Sequence, residues 1–292
     1  MTRAPIHEQA LILAGGLGTR LQSVLSDRPK VLAPIDLPAT AAGDAPAGQR
    51  PPAAVAAPAL PTVFLDVLLE QLAGLGFTRV VLLLGARHEQ VEAHLRGTRA
   101  ARGLDIAVSI EPAPLGTGGA VKLAEPLVDG RFVLINGDTF FDFDARALLA
   151  THVAARAAVT LGATAVPDAG RYGRLDVEGD GQAGKQAGNQ DGKGKIVRAF
   201  LEKDPSAAGT PGLISAGVSV IEPEVFAAIP AGRAVSIERD VFPALLASGT
   251  RVIAAAQPGA FFDIGTPASY RAFVEYHWGG KAARASDRGG VS

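Results

Sequence analysis

Short runs of consecutive apolar residues punctuate the chain. They alternate with stretches in which apolar residues recur every three or four positions. Gln9–Leu13, Arg79–Leu84, residues 106–110 and Phe132–Asn136 are rich in Val, Ile or Leu and stop at or beside Gly, Asn or Pro. Runs of this length without polar alternation predict strands covered on both faces, as in a parallel sheet. Between them, Phe64, Leu65, Leu68, Leu69 and Leu72 follow helical spacing, and Gly74 and Gly76 supply the stop. Residues 89–95 and 118–124 predict shorter helices, and 144–155 another with Asp144 as its cap. The first half therefore reads as βαβαβ, with right-handed crossovers and helices on both faces of the sheet.

The second half is more mixed. Strands are predicted at 159–165, Gly173–Val177, 196–201, 215–221 and 251–255, with a helix at 237–247. A last helix opens at Thr266-Pro267, a cap residue followed by Pro at the first helical position. No linker or internal repeat interrupts this order. The expected fold class is α/β, one domain over residues 8–278 with a mixed, mostly parallel sheet flanked by helices. Two segments stand apart. Residues 38–61 are mainly Ala and Pro, and 179–195 hold no large apolar residue before Lys195. Neither can bury enough surface to offset its ordering entropy, so both are expected to be disordered insertions in surface loops, and 279–292 a flexible tail.

Composition narrows the chemistry. The chain has 292 residues, 48% of them apolar, and its 28 Lys and Arg against 29 Asp and Glu give a net charge of −1. That balance provides no field for a nucleic-acid backbone and no polybasic face for an anionic membrane. Cysteine is absent, which excludes disulfides, thiolate metal sites and thiol nucleophiles. The apolar run at 10–14 is too short for a membrane span or signal core, and the expected location is the cytoplasm. The five histidines, at 7, 88, 94, 152 and 277, show no metal-pair spacing and are read as surface or packing residues.

The most informative segment is LILAGGLGTRL at 11–21, where a buried strand runs straight into Gly15, Gly16 and Gly18, then Thr19 and Arg20. Closely spaced glycines let backbone N–H groups approach an anion, and Arg20 adds a fork for phosphate oxygens. A dinucleotide fingerprint is not met, because Leu21 stands where the third Gly belongs, and no Walker A loop occurs. Asp27-Arg28-Pro29-Lys30 follows, with Lys30 able to sit over a phosphate. Leu115-Gly116-Thr117-Gly118-Gly119 comes after a strand and opens a helix, so its N–H groups are expected to point outward at a helix N-terminus. Asn136-Gly137-Asp138 ends a strand at the edge where α/β sheets bind ligands, and Asp138 suits Mg²⁺. Asp263, in FFDIGTP, is a second carboxylate. Each of the last three segments can equally be an ordinary turn when taken alone.

Together and in this order, LAGGLGTRL, DRPK, LGTGGA, NGD, FLEK at 200–203, SAGV at 215–218 and FDIGTP at 262–267 resemble the sugar-1-phosphate nucleotidylyltransferase family. Within it, LGTGGA, NGDTFF and FFDIGTP are most similar to the D-glycero-α-D-manno-heptose 1-phosphate guanylyltransferases. The resemblance implies a nucleotide-binding α/β domain that converts an NTP and a sugar 1-phosphate into NDP-sugar and pyrophosphate, with Mg²⁺ as cofactor. It implies that Gly15, Gly16, Gly18 and Thr19 cradle the triphosphate and that Arg20 holds its leaving end. Lys30 would neutralise the α-phosphate, and Leu13, Ala14, Gly85, Leu115, Gly116, Thr117, Gly118, Asn136 and Gly137 would line the nucleotide. Asp138, with Arg20 and Lys30, would form the catalytic set, and Asp138 and Asp263 would share the metal. Gly173, Glu202, Lys203 and Ser215 would line the sugar phosphate; family members often carry Asn at the place of Ser215. Partners are then the NTP and the sugar 1-phosphate, with the chain a monomer or small homo-oligomer. Mannose 1-phosphate with GTP, glucose 1-phosphate with UTP or dTTP, and a non-catalytic nucleotide-sugar sensor are the alternatives.

Overall fold

A computed structural model describes residues 4–16, 21, 25, 28–35, 61–179, 194–202 and 208–288, with side chains described as far as 279. The glycine-loop residues Gly18, Thr19 and Arg20, the FLEK lysine Lys203, and nearly all of both low-complexity insertions lie outside the described residues.

The parallel half holds β1 (Gln9–Leu13), α1 (Phe64–Leu75), β2 (Arg79–Leu84), α2 (His88–Gly97), β3 (Asp105–Ile110), α3 (Gly116–Leu123) and β4 (Phe132–Asn136). Successive strand residues are buried on opposite sides. Ile12, Val80, Leu82, Val133 and Ile135 join one core layer with α1 and the last helix, while Leu11, Val81, Leu83, Phe132 and Leu134 join the other with α3. Leu11 and Ile12 are both fully buried, and burial of each such side chain contributes about 1.5–3 kcal/mol. Helix α1 ends where Gly76 adopts a left-handed φ of 104° and donates its N–H to Leu72 and Ala73.

The second half holds β5 (Thr139–Phe141), α4 (Ala145–Ala155), β6 (Val159–Val166), β7 (Gly173–Val177), β8 (Lys195–Glu202), β9 (Gly212–Ile221), α5 (Phe242–Ala247), β10 (Val252–Ala256), β11 (Phe261–Asp263) and α6 (Pro267–Arg288). Asp144 caps α4 as the sequence predicts, its side chain accepting from the N–H groups of Arg146 and Ala147. The main sheet is nine-stranded among the described residues, in the order β3-β2-β1-β4-β9-β6-β10-β8-β7. Its first four strands run parallel, and β9 is antiparallel to both β4 and β6.

Four expectations need correction. The helix predicted over 237–247 is split: a wide π-helical turn at Ile237–Val241 precedes α5, where Pro243 has no N–H to continue the ladder. The two-residue-scale pairing of β5 with β11 was beyond the reach of periodicity, because both are three residues long. Lys195, assigned to the second insertion, is the first residue of β8. Helix α6 continues past Gly279-Gly280 to Arg288, across residues assigned to the tail. Two glycines cost that helix about 1 kcal/mol each, and the alanines that follow at 282, 283 and 285 are the best helix formers.

Candidate active site

The strand order places a switch point at β1, whose neighbours are β2 on one side and β4 on the other. Ligands of open α/β sheets bind beyond the carboxyl ends of the strands at such a point. A cleft of about 1250 Å³ opens there. Leu13, Ala14, Gly15 and Gly16 enter it from β1, Gly85 to Glu89 from β2, Ile110 to Pro114 from β3, and Asn136 to Thr139 from β4.

The floor is set by close backbone contacts. Ala14 donates its N–H to the Leu83 carbonyl at 2.8 Å, and Gly137 donates to the Leu13 carbonyl at 3.0 Å. At Gly16 a side chain would meet nothing within 4 Å, so the loop faces open space there. At Gly15 a Cβ would lie 2.7 Å from the Glu111 carboxylate, and at Gly85 2.8 Å from the same oxygen. These two glycines therefore make room for Glu111, whose other oxygen accepts the Leu115 N–H at 2.7 Å. Sequence reasoning passed over Glu111. Its one signal was a carboxylate directly after a strand, which a turn explains as readily.

On the other side, β5 and β11 pair so that Asp263 stands opposite Thr139, the residue after Asp138. The Asp138 carbonyl also accepts the Ile264 N–H at 2.9 Å. Lys30 completes this corner: its Nζ donates to Asp138 Oδ2 at 2.7 Å, and the residue is only 8% exposed. Asp263 Oδ1 accepts the Gly265 N–H at 2.7 Å, and a Cβ at Gly265 would lie 3.3 Å from Lys30 Nζ. Lys30, Asp138 and Asp263, more than a hundred residues apart in sequence, thus meet in one corner. The far wall carries Arg171, Tyr172, Gly173, Glu202, Ser215 and the segment 234–240. Ser215 lies where β9 shifts register against β6, close to Gly217 with its left-handed φ of 73°. Burial, with Asp263 and Asp168 near by, pushes the Tyr172 phenol above its ordinary range, against the opposing pull of Arg171, so it stays a neutral donor.

The LGTGG loop departs from its expected role. Gly116 and Thr117 line the cleft, whereas Leu115 and Gly118 do not. Gly118 and Gly119 donate their N–H groups to the Val235 carbonyl at 2.8 and 3.3 Å, and Val235 donates back to the Leu115 carbonyl at 2.8 Å. The start of α3 is therefore capped by another backbone segment instead of being left open to an anion.

A family model for nucleotidyl transferases matches residues 53–277. The chain belongs to the nucleotidyl transferase family. A D-glycero-α-D-manno-heptose 1-phosphate guanylyltransferase of Aneurinibacillus thermoaerophilus is 31% identical over 264 residues, covering 90% of this chain and 95% of that one. A mannose-1-phosphate guanylyltransferase of Mycobacterium tuberculosis is 34% identical over 268 residues, covering 89% of this chain and 62% of that protein. The crystal structure of HddC from Yersinia pseudotuberculosis in complex with GMP-PN superposes with a TM-score of 0.71 at 26% identity, covering 92% of this chain and 99% of that one. As a nucleotidyl transferase with a mixed sheet flanked by helices, the chain has the fold expected from its sequence. Among the described residues, no helix is long and apolar enough to cross a membrane.

Proposed function

We propose that this nucleotidyl transferase moves a guanylyl group from GTP to a sugar 1-phosphate of the D-glycero-α-D-manno-heptose type, in the cytoplasm. The observation that carries the choice of base is Glu111. A carboxylate only accepts hydrogen bonds, and guanine offers N1–H and N2–H₂ side by side on one edge. Uracil and thymine present carbonyl oxygens on either side of a single N–H, which a carboxylate repels. The two nearly full-length relatives that act on guanylyl donors support the same base.

In the reaction a phosphate oxygen of the sugar 1-phosphate attacks the α-phosphorus of GTP. The bond from that phosphorus to the bridging oxygen breaks, and pyrophosphate leaves. The attacking oxygen is already anionic at neutral pH, so no general base is needed. Lowering the repulsion between two polyanions and holding them in line is the catalytic task. Lys30 meets the α-phosphate from its buried corner, and Gly15, Gly16 and the loop through Gly18, Thr19 and Arg20 hold the remainder of the triphosphate. Gly173, Glu202, Lys203 and Ser215 receive the sugar phosphate.

Magnesium fits the corner chemically. Among the described residues no three ligating side chains converge, but Mg²⁺ takes one or two carboxylates and completes its shell with phosphate oxygens and water. Asp138 and Asp263 are the two that would hold it. When bound it supplies charge neutralisation to the phosphates.

Pyrophosphate release from GTP, ATP, UTP and dTTP, each with heptose, mannose and glucose 1-phosphates, tests this reading. GTP with the heptose is expected to turn over fastest; mannose 1-phosphate is the nearest rival, in keeping with the Mycobacterium relative. Higher turnover with UTP or dTTP removes the role given to Glu111. Binding without turnover on any pair reduces the protein to a sensor.

A further inference from the structure

Residues 236–240, Ser-Ile-Glu-Arg-Asp, form the π-helical turn on the far wall of the cleft. Two of its three charged side chains are spent on holding the turn. Glu238 Oε2 accepts from the Thr117 hydroxyl at 2.8 Å and from the Ser236 hydroxyl at 2.9 Å. Asp240 Oδ2 accepts the Ser236 N–H at 2.7 Å. Thr117 is held in return, because its hydroxyl oxygen accepts the Ile237 N–H at 2.8 Å. Arg239 is different: it is exposed, lines the cleft, and borders with Glu202 a side hollow of about 330 Å³. Among the described residues no carboxylate lies within ion-pair distance of its guanidinium.

Single π turns inside helices concentrate at functional sites, and here the turn aims one cation at the cleft while its carboxylates face inward. Thr117 belongs to the nucleotide-side loop, and Arg239 stands beside the sugar-side residue Glu202. The Thr117–Glu238 bond is thus a side-chain tie between the two walls. We propose that Glu238 is a positioning residue, which through Thr117 holds Arg239 over the sugar-phosphate side of the cleft, where the guanidinium grips the phosphate of the acceptor. This rests on the sugar 1-phosphate reading above.

The test measures KM for GTP and for the sugar 1-phosphate separately, alongside thermal melting. Arg239→Ala is expected to raise the sugar-phosphate KM about tenfold or more, the worth of one charge-assisted contact, with the melting temperature and the GTP KM unchanged. Thr117→Val and Glu238→Ala are each expected to raise the same KM, and together to cost no more than either alone, while Thr117→Ser restores it. An effect of Thr117→Val confined to GTP, or additive losses that follow melting temperature, overturns the tie. An unchanged sugar-phosphate KM in Arg239→Ala overturns the role of the guanidinium. Turnover of the unaltered enzyme, measured first, separates these failures from failure of the sugar 1-phosphate reading itself.

Discussion

Gly137 packs its α-carbon onto the carbonyl of Leu13, and a Cβ there would lie 2.3 Å from that oxygen. The contact joins the end of β4 to the end of β1 and so sets the spacing between the glycine loop and Asp138. Gly137→Ala is expected to push the two strand ends apart. The expected cost is about 1–3 kcal/mol of stability, read by urea denaturation, with a marked loss of turnover. A variant as stable and active as the parent would mean that the backbone there yields freely.

Lys30→Ala is expected to lower kcat by about 10²–10³, the usual loss when one preorganised electrostatic contact is removed. Stability should change little, because the Asp138 side chain it leaves behind is 41% exposed and water screens it. Lys30→Arg should not rescue, since a planar fork does not fit a pocket shaped for a compact ammonium. Steady-state kinetics and melting curves report both effects, and a kcat within threefold of the parent would remove Lys30 from the chemistry.

Glu111→Gln replaces an acceptor-only carboxylate by an amide that also donates. Discrimination of GTP against UTP is expected to shrink by about 10-fold or more, mainly through loss of GTP kcat/KM. Competition between the two nucleotides in one tube measures it. Undiminished preference for GTP would move base selection to other groups.

His152 is 1% exposed, with Nδ1 2.8 Å from the Thr160 hydroxyl and Nε2 3.1 Å from Glu222 Oε1. Burial, aided by Arg131, holds its pKa below the ordinary 6.5 despite the opposing effect of Glu222. The unfolded chain then takes up a proton that the folded one resists, so stability is full above pH 6.5 and declines as pH falls from there toward the folded pKa. Melting temperatures measured between pH 5 and 8 should show this slope, and His152→Gln should flatten it.

Much of the parallel half was legible from the sequence because each of its strands is buried on both faces and reads as an unbroken apolar run. Gln9–Leu13, Arg79–Leu84 and Phe132–Asn136 match the observed strands residue for residue. Gly76 and Asp144 mark helix ends because their conformations and side chains do so locally. The site was less legible. Lys30 and Asp138 stand in segments whose chemistry is visible, but Asp263 reaches them through two three-residue strands that carry no periodicity. Glu111 matters only because Gly15 and Gly85 leave space for it, a relation between residues about seventy to a hundred positions away. The Ser-Ile-Glu-Arg-Asp turn has helical spacing and simply reads as helix; its ties to Thr117 exist only once α3 has docked.

The final helix also reaches back to the front of the chain. The Trp278 indole N–H donates to the Ile35 carbonyl at 2.6 Å, Tyr270 bonds the Pro34 carbonyl, and Phe273 packs edge-on against Phe64. The backbone just behind Lys30 is therefore fastened by residues translated some 240 positions later. A nascent chain that has already assembled β1 to β4 has its glycine bend and its cleft, yet holds the lysine by nothing until α6 emerges from the ribosome. Competence for phosphate chemistry arrives at the end of synthesis, and clipping the protein ahead of Trp278 would return it to that unfinished condition.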